Sequence, residues 1–212
     1  MSSDCIRASA GRILAGLLAA LAAMAAASAP TPDAAAPAAA VAKAHLPADS
    51  VYQLAQMLTD QQGRALSLAS GHGHPVLVSM FYTSCQFVCP MLVEALRATE
   101  ARLSAAERAR VTVLMVSIDP EHDSVAVLER TARQRELDTT RWPLARTDAA
   151  GVRKLAAVLG IQYRALANGE FNHSTALILL DNEGRIAART AQLGGADPVF
   201  VRRVKASLAA LP

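Results

Sequence analysis

The stretch from Pro75 to Leu103 constrains this chain more than any other. Pro75-Val76-Leu77-Val78-Ser79-Met80-Phe81-Tyr82 is an apolar run broken by one serine, as expected of a strand buried on both faces. Thr83-Ser84-Cys85-Gln86-Phe87-Val88-Cys89-Pro90 follows at once, and Met91 to Leu103 carries helical spacing. A buried strand that feeds a helix through a turn bearing two cysteines is compatible with few architectures. Cysteines four apart on a first helical turn share one face, about 5–6 Å apart between Cβ atoms, so they can hold one metal ion or, with adjustment, form a disulfide. The helix N-terminus adds partial positive charge and unpaired N–H groups, which favour thiolate over thiol. Both sulfurs are therefore expected to serve as ligands or nucleophiles.

The remaining elements fix the topology. Val51 to Thr59 and Arg64 to Leu68 flank the turn Asp60-Gln61-Gln62-Gly63 and predict a β-hairpin. Arg110 to Ile118 reads as a second buried strand, ending in Asp119-Pro120-Glu121-His122-Asp123, with Ser124 capping a helix over Val125 to Leu137. Trp142 to Ala145 is a short extended piece, and Asp148 caps a helix that closes at Gly160. Gly169-Glu170-Phe171-Asn172-His173-Ser174 leads into a strand over Thr175 to Leu180, which the turn Asp181-Asn182-Glu183-Gly184 folds back into Arg185 to Thr190. Pro198 opens a last helix reaching Ala210. Hairpin, β-α-β-α, helix, hairpin and helix in that order predict an α/β, thioredoxin-like fold. It has a central mixed β-sheet flanked by helices and an N-terminal β-hairpin.

Composition bounds what surrounds this domain. The chain has 212 residues and is 52% hydrophobic, but the apolar excess lies in an alanine-rich N-terminus. Arg7 and Arg12 precede the uninterrupted apolar stretch Ile13 to Ala27, and Ala25-Ala26-Ala27 suits a signal peptidase. Residues 1–28 are read as a signal peptide or an uncleaved membrane anchor. Residues 29–47, rich in proline and alanine, are read as a linker, and 48–212 as the folded domain. Either reading of the leader puts the domain outside the cytoplasm, in the periplasm. Cys5 falls in the leader without a lipid-attachment sequence before it, so the exported part holds only Cys85 and Cys89. A staple closing three intervening residues stabilises little, which favours chemistry for the pair. The net charge is only +3, with both signs mixed and no basic stripe interleaved with aromatics, so nucleic-acid binding is not expected.

Three stretches together resemble the Sco/SenC family of copper chaperones, over about Ser50 to Leu208. They are Phe81 to Pro90, then Val116-Ser117-Ile118-Asp119-Pro120-Glu121-His122-Asp123-Ser124, and Asn172-His173-Ser174-Thr175 before a strand and an Asp-x-x-Gly turn. The resemblance implies a single copper ion bound by Cys85, Cys89 and His173, with Asp119 as a supporting residue outside the ligand set. Donor chemistry agrees: two soft thiolates suit Cu(I), and an imidazole adds a ligand that Cu(II) also accepts. It also implies delivery of copper to the binuclear site of a cytochrome c oxidase subunit, receipt from a periplasmic copper donor, and action as a monomer. An equally available role for Asp119 is fixing the loop before Ser124. His72, His74 and His122 are read as solvated loop residues, and His45 as part of the linker. Gln86 stands where the family commonly has proline.

Two other functions share the fold. A thiol-disulfide oxidoreductase would use Cys85 and Cys89 as a redox-active disulfide, reducing the cysteines of the same oxidase site. A general enzyme of that kind normally has Cys-x-x-Cys and a proline before the late strand. Here the spacer is three residues, and no proline occurs between Pro143 and Pro198. A peroxidase would place threonine three residues before its reactive cysteine, where this chain has Tyr82. The sequence therefore reads as a metallochaperone rather than as an enzyme, with the dedicated reductase as the alternative.

Overall fold

The structure is a computed structural model that describes residues 46–211. The expected leader and nearly all of the expected linker fall outside those residues. A seven-stranded mixed sheet forms the centre, in the order β2-β1-β5-β4-β3-β8-β9. Its strands are β1 (Met57–Asp60), β2 (Ala65–Ser67), β3 (Val76–Phe81), β4 (Thr112–Ser117), β5 (Leu144–Arg146), β8 (Leu177–Leu180) and β9 (Ile186–Thr190). The strands β6 (Tyr163–Ala165) and β7 (Phe171–His173) pair only with each other, as a separate small hairpin. The helices are α1 (Val88–Glu100), α2 (Ala105–Arg108), α3 (Val125–Gln134), α4 (Ala149–Leu159) and α5 (Pro198–Ala209). The fold is thioredoxin-like, with its parallel strands β3, β4 and β5 in the middle and antiparallel pairs on both sides.

Strand β3 is buried at all six positions, as its apolar run requires, and β4 is buried at five of six. Their register runs from Val76 opposite Thr112 to Phe81 opposite Ser117, so both strands end together. The cysteine turn and the Asp119–Asp123 loop therefore leave the same edge of the sheet side by side. Strand β8 runs antiparallel to β3, with Val78 opposite Ile178. The residues just before β8 consequently arrive at that edge as well, and the Ser79 hydroxyl confirms the approach by donating to the Ala176 carbonyl at 2.8 Å. Three segments distant in sequence meet at one end of the sheet because of strand direction alone.

Helix starts follow the sequence closely. Ser124 accepts from the Val127 N–H, Asp148 from Gly151 and Asp197 from Val199. Gly160 closes α4 in the left-handed region at φ 60°, where a side chain would be strained. Differences from the sequence reading are local. Val51–Gln53 forms a 3₁₀ turn rather than the start of a strand, because Ser50 caps it. The short α2 was not expected, although Ser104 and Glu107 form a full capping box.

Candidate functional site

The cysteine turn differs from the expected geometry in one respect. Helix α1 begins at Val88, so only Cys89 lies in its first turn and Cys85 sits in the preceding turn. Phe87, at the cap position, offers no side-chain acceptor to the helix. Cys85 takes that role: the Cys89 N–H donates to its Sγ at 3.4 Å. Pro90 fits the first turn because its missing N–H is one the helix could not have satisfied. Both cysteines are free and nearly buried, at 8% and 3% exposure, so the turn presents sulfur in a shielded setting.

The two sulfurs differ sharply in acidity. Burial pushes the Cys85 thiol up, but the Cys89 N–H and thiol and the amides of Phe87 and Val88 outweigh it, leaving its pKa below the ordinary value. Burial dominates at Cys89 and pushes it up to about 12, with only the Tyr82 amide and the more distant Arg135 opposing among the lowering influences. At neutral pH the pair is thus one thiolate-prone sulfur backed by one protonated thiol. Alkylation with iodoacetamide at pH 7 should modify Cys85 at least about tenfold faster than Cys89, as read by peptide mass mapping. Equal rates would contradict the asymmetry.

The start of the turn is tied down from the neighbouring loop by a residue that sequence reasoning did not single out. Asp123 is fully buried, and its carboxylate accepts from the Thr83 N–H at 3.1 Å, from the Thr83 hydroxyl, and from the Ser117 hydroxyl at 2.5 Å. Burial raises its pKa, with those hydroxyl and amide donors opposing. The folded state therefore binds the Asp123 proton more tightly than the unfolded chain. Its contribution to stability is complete below the ordinary carboxylate range and falls as pH rises through the folded value. Asp123→Ala strands three donors, two of them from buried or half-buried hydroxyls, and should cost about 2–3 kcal/mol in urea unfolding at pH 4. A change under about 0.5 kcal/mol would show that the turn is held without it.

Asp119 is also buried, but its carboxylate faces His122, whose Nδ1 lies 2.9 Å from both oxygens. None of its hydrogen bonds reaches Cys85, Cys89 or His173. The geometry is that of a loop-fixing residue, and it gives His122, read as merely solvated, a partner that raises its pKa. His74 likewise bonds Thr112, at 3.1 Å.

His173 ends β7, opposite Tyr163. Its Nδ1 is buried without a hydrogen-bond partner, an arrangement that is uncommon and calls for a ligand or a functional reason. Burial lowers its pKa, the Ser174 backbone opposing, so the ring is held neutral and able to donate a lone pair. The connecting residue is Tyr82. Its ring meets His173 edge to face at a centroid distance of 5.8 Å and Phe171 at 5.2 Å, and Tyr82 lines the same small cavity as Cys89. Among the described residues, no three His, Cys, Asp or Glu side chains gather into a preformed metal site. The structure thus joins Cys85 to Cys89 directly and joins His173 to them through Tyr82. Two soft sulfurs and a neutral imidazole with an unused nitrogen are a donor set that fits a soft or borderline metal ion once they close on it.

Residues 48–208 match the SCO1/SenC family model. A SCO1 protein homolog of Bacillus subtilis (strain 168) is 29% identical over 83 residues, 39% of this chain and 42% of that protein. The chain thus aligns with less than half the length of that curated relative. Bradyrhizobium japonicum ScoI, solved with copper bound, superposes with a TM-score of 0.57 at 23% identity over 74% of this chain and 97% of that one. BsSco, described as a member of the Sco family of cytochrome c oxidase assembly proteins with a disulfide switch, superposes with a TM-score of 0.62. It shares 19% identity over 73% of this chain and 91% of its own.

Proposed function

This chain belongs to the SCO1/SenC family, and on that premise we propose that it is a metallochaperone that binds copper through Cys85, Cys89 and His173. It hands the ion to the binuclear copper site of a cytochrome c oxidase subunit during assembly. The observation that carries this reading is the pairing of two free, shielded sulfurs at a helix start with a buried imidazole nitrogen that has no partner. Two thiolates suit Cu(I), and the imidazole extends the set to Cu(II). A site completed by a third ligand from a separate hairpin can open to release its cargo. Copper here is cargo, taken from a periplasmic donor and passed on by a monomeric domain spanning residues 48–212. Residues 1–28 direct export or anchor the chain, and residues 29–47 are a linker that holds the domain away from the membrane or trails from it. No helix among the described residues is long and apolar enough to cross a membrane. Asp119 supports the site at one remove, by holding the loop that contains Asp123.

A second reading draws on the acidity difference. A thiolate-prone Cys85 beside a protonated Cys89 is the arrangement of an attacking and a resolving thiol. In the reductase role the Cys85 thiolate attacks a disulfide of the oxidase subunit, and one sulfur of that bond leaves as thiolate. Cys89 then gives its proton to the thiolate already released and attacks Cys85, releasing the second partner thiolate. The partner disulfide gains two electrons and Cys85–Cys89 is oxidised to a disulfide.

One experiment separates the two. The full chain, reduced and loaded with one copper, is incubated with the apo copper-bearing oxidase subunit in its dithiol form and, separately, in its disulfide form. Copper appearing on the dithiol form without thiol exchange supports delivery. Reduction of the disulfide form without metal transfer to the dithiol form replaces delivery with the reductase role.

A further inference from the structure

Phe87 sits between the two cysteines with 81% of its surface exposed, more than any other large apolar side chain among the described residues. It gives α1 no capping bond, so nothing inside the domain calls for an aromatic ring there. Met91 follows one helical turn later on the same face, 45% exposed. Gly194 flanks its methyl: a Cβ added at that glycine would lie 3.9 Å from the Met91 Cε. Scattered exposed apolar residues are ordinary, but these two adjoin the sulfur pair in surroundings without charge. No Asp, Glu, Lys or Arg occurs in residues 83–93, 171–177 or 190–196. Those segments are the cysteine turn, the strand that ends in His173 with its exit, and the loop beside Met91. Thr190 lies opposite Leu177, which brings that loop to the same edge of the sheet. Charge at this edge lies to one side, in the Asp119–Asp123 loop, and at the Cys89 cavity, which Arg135 helps to line.

We propose that Phe87, with Met91 beside it, is the contact on which the copper-bearing oxidase subunit docks, and that the matching face of that subunit is uncharged and apolar around its own cysteines. The inference rests on the copper reading above and names the recognition residue for it. Delivery and thiol exchange alike bring a partner sulfur to Cys85 or to the copper it holds. Even a small transient interface covers about 600 Å² on each side, a disc of about 14 Å radius. The Cα of Phe87, two residues along, is at most about 7.6 Å from that of Cys85. A footprint centred on the sulfur pair therefore includes the ring whatever the partner's orientation. Covering it removes a phenyl group from water, and the uncharged rim is stripped of water at little cost.

Phe87→Ala removes the ring and keeps the backbone amide that supports the Cys85 sulfur. The full chain, reduced and loaded with one Cu(I), is mixed with increasing amounts of the apo copper-bearing oxidase subunit in its dithiol form, and the transfer rate is followed. Phe87→Ala should raise the half-saturating subunit concentration about ten- to hundredfold, the equivalent of burying one phenyl ring, and leave the limiting rate within about twofold. Phe87→Leu should recover most of the loss. Copper affinity, and the rate at which a small chelator strips Cu(I), should match the parent within about twofold, which damage to the site itself would not allow. Raising NaCl from about 50 to about 500 mM should change the parent's transfer rate by less than about twofold, whereas a steep fall would overturn the uncharged matching face. An unchanged half-saturating concentration in Phe87→Ala, or a loss that the small chelator also reports, overturns the proposal while leaving copper delivery standing. A parent that sediments as a dimer and a Phe87→Ala variant that sediments as a monomer would give the face to a second copy of this chain and overturn it too. An unsubstituted chain that binds no copper, or passes none to the subunit, defeats the underlying reading instead.

Discussion

Cys85→Ser should leave a folded protein that retains essentially no copper after gel filtration in the presence of a chelator of moderate strength, against about one ion per chain for the parent. The reasoning starts at the helix. The sulfur of Cys85 is the acceptor for the Cys89 N–H and is approached by the amides of Phe87 and Val88, so its negative charge is supported before any metal arrives. A serine hydroxyl fits the same space and accepts the same N–H groups, which is why folding survives. It does not ionise in the accessible pH range and is a hard donor, poorly matched to Cu(I). Cys89 cannot substitute alone, since burial pushes it up to about 12 and metal binding would have to remove that proton unaided. Losing a direct ligand should exceed the 10–100-fold typical of residues supporting one, so an affinity loss above about 100-fold is expected. Cys89→Ser should abolish the site as well, yet leave Cys85 open to alkylation. That contrast separates loss of a ligand from loss of the thiolate. Retention of near-stoichiometric copper by Cys85→Ser would remove the sulfur pair from the site.

The strand, turn and helix around Cys85 were legible because each signal was local: six consecutive buried positions, turn residues, then helical spacing. The parallel order of β3, β4 and β5 followed from the alternation of strands and helices, and strand direction brought the loop before β8 to the cysteine edge. What stayed hidden lacked such periodicity. The strands β6 and β7 are half-buried or exposed along their length, and three residues each are too few to show an alternating pattern, so their hairpin read as loop. With that hairpin went the position of His173 relative to Tyr82. Asp123 was missed for a different reason. Its partners Thr83 and Ser117 lie 40 and 6 residues away, and a buried polar residue that closes such a network looks in sequence like any loop aspartate. Its neighbour Asp119 drew notice by position in a motif, yet its bonds are to His122.

His173→Ala should divide the two oxidation states of copper. Two thiolates in near-linear arrangement satisfy Cu(I), whereas Cu(II) seeks nitrogen or oxygen donors and more of them. Removing the imidazole should therefore weaken Cu(II) by more than about tenfold and Cu(I) by less than about threefold, measured with separate competing chelators for each ion. The structure gives a physical reason for a low cost to folding: the ring sits at the end of a small hairpin, and its Nδ1 makes no hydrogen bond whose loss would strand a partner. Truncation removes an unsatisfied buried nitrogen along with one edge-to-face contact to Tyr82. Unfolding midpoints should accordingly stay close to those of the parent, which makes the copper readout interpretable. pH adds a second arm. Because burial keeps the ring neutral to lower pH than an ordinary histidine, Cu(II) binding by the parent should persist as pH falls through 6.5, and the advantage over His173→Ala should close only below that. Equal weakening of both ions would mean that His173 supports the sulfurs rather than binding the metal, and an unchanged Cu(II) affinity would remove it from the ligand set.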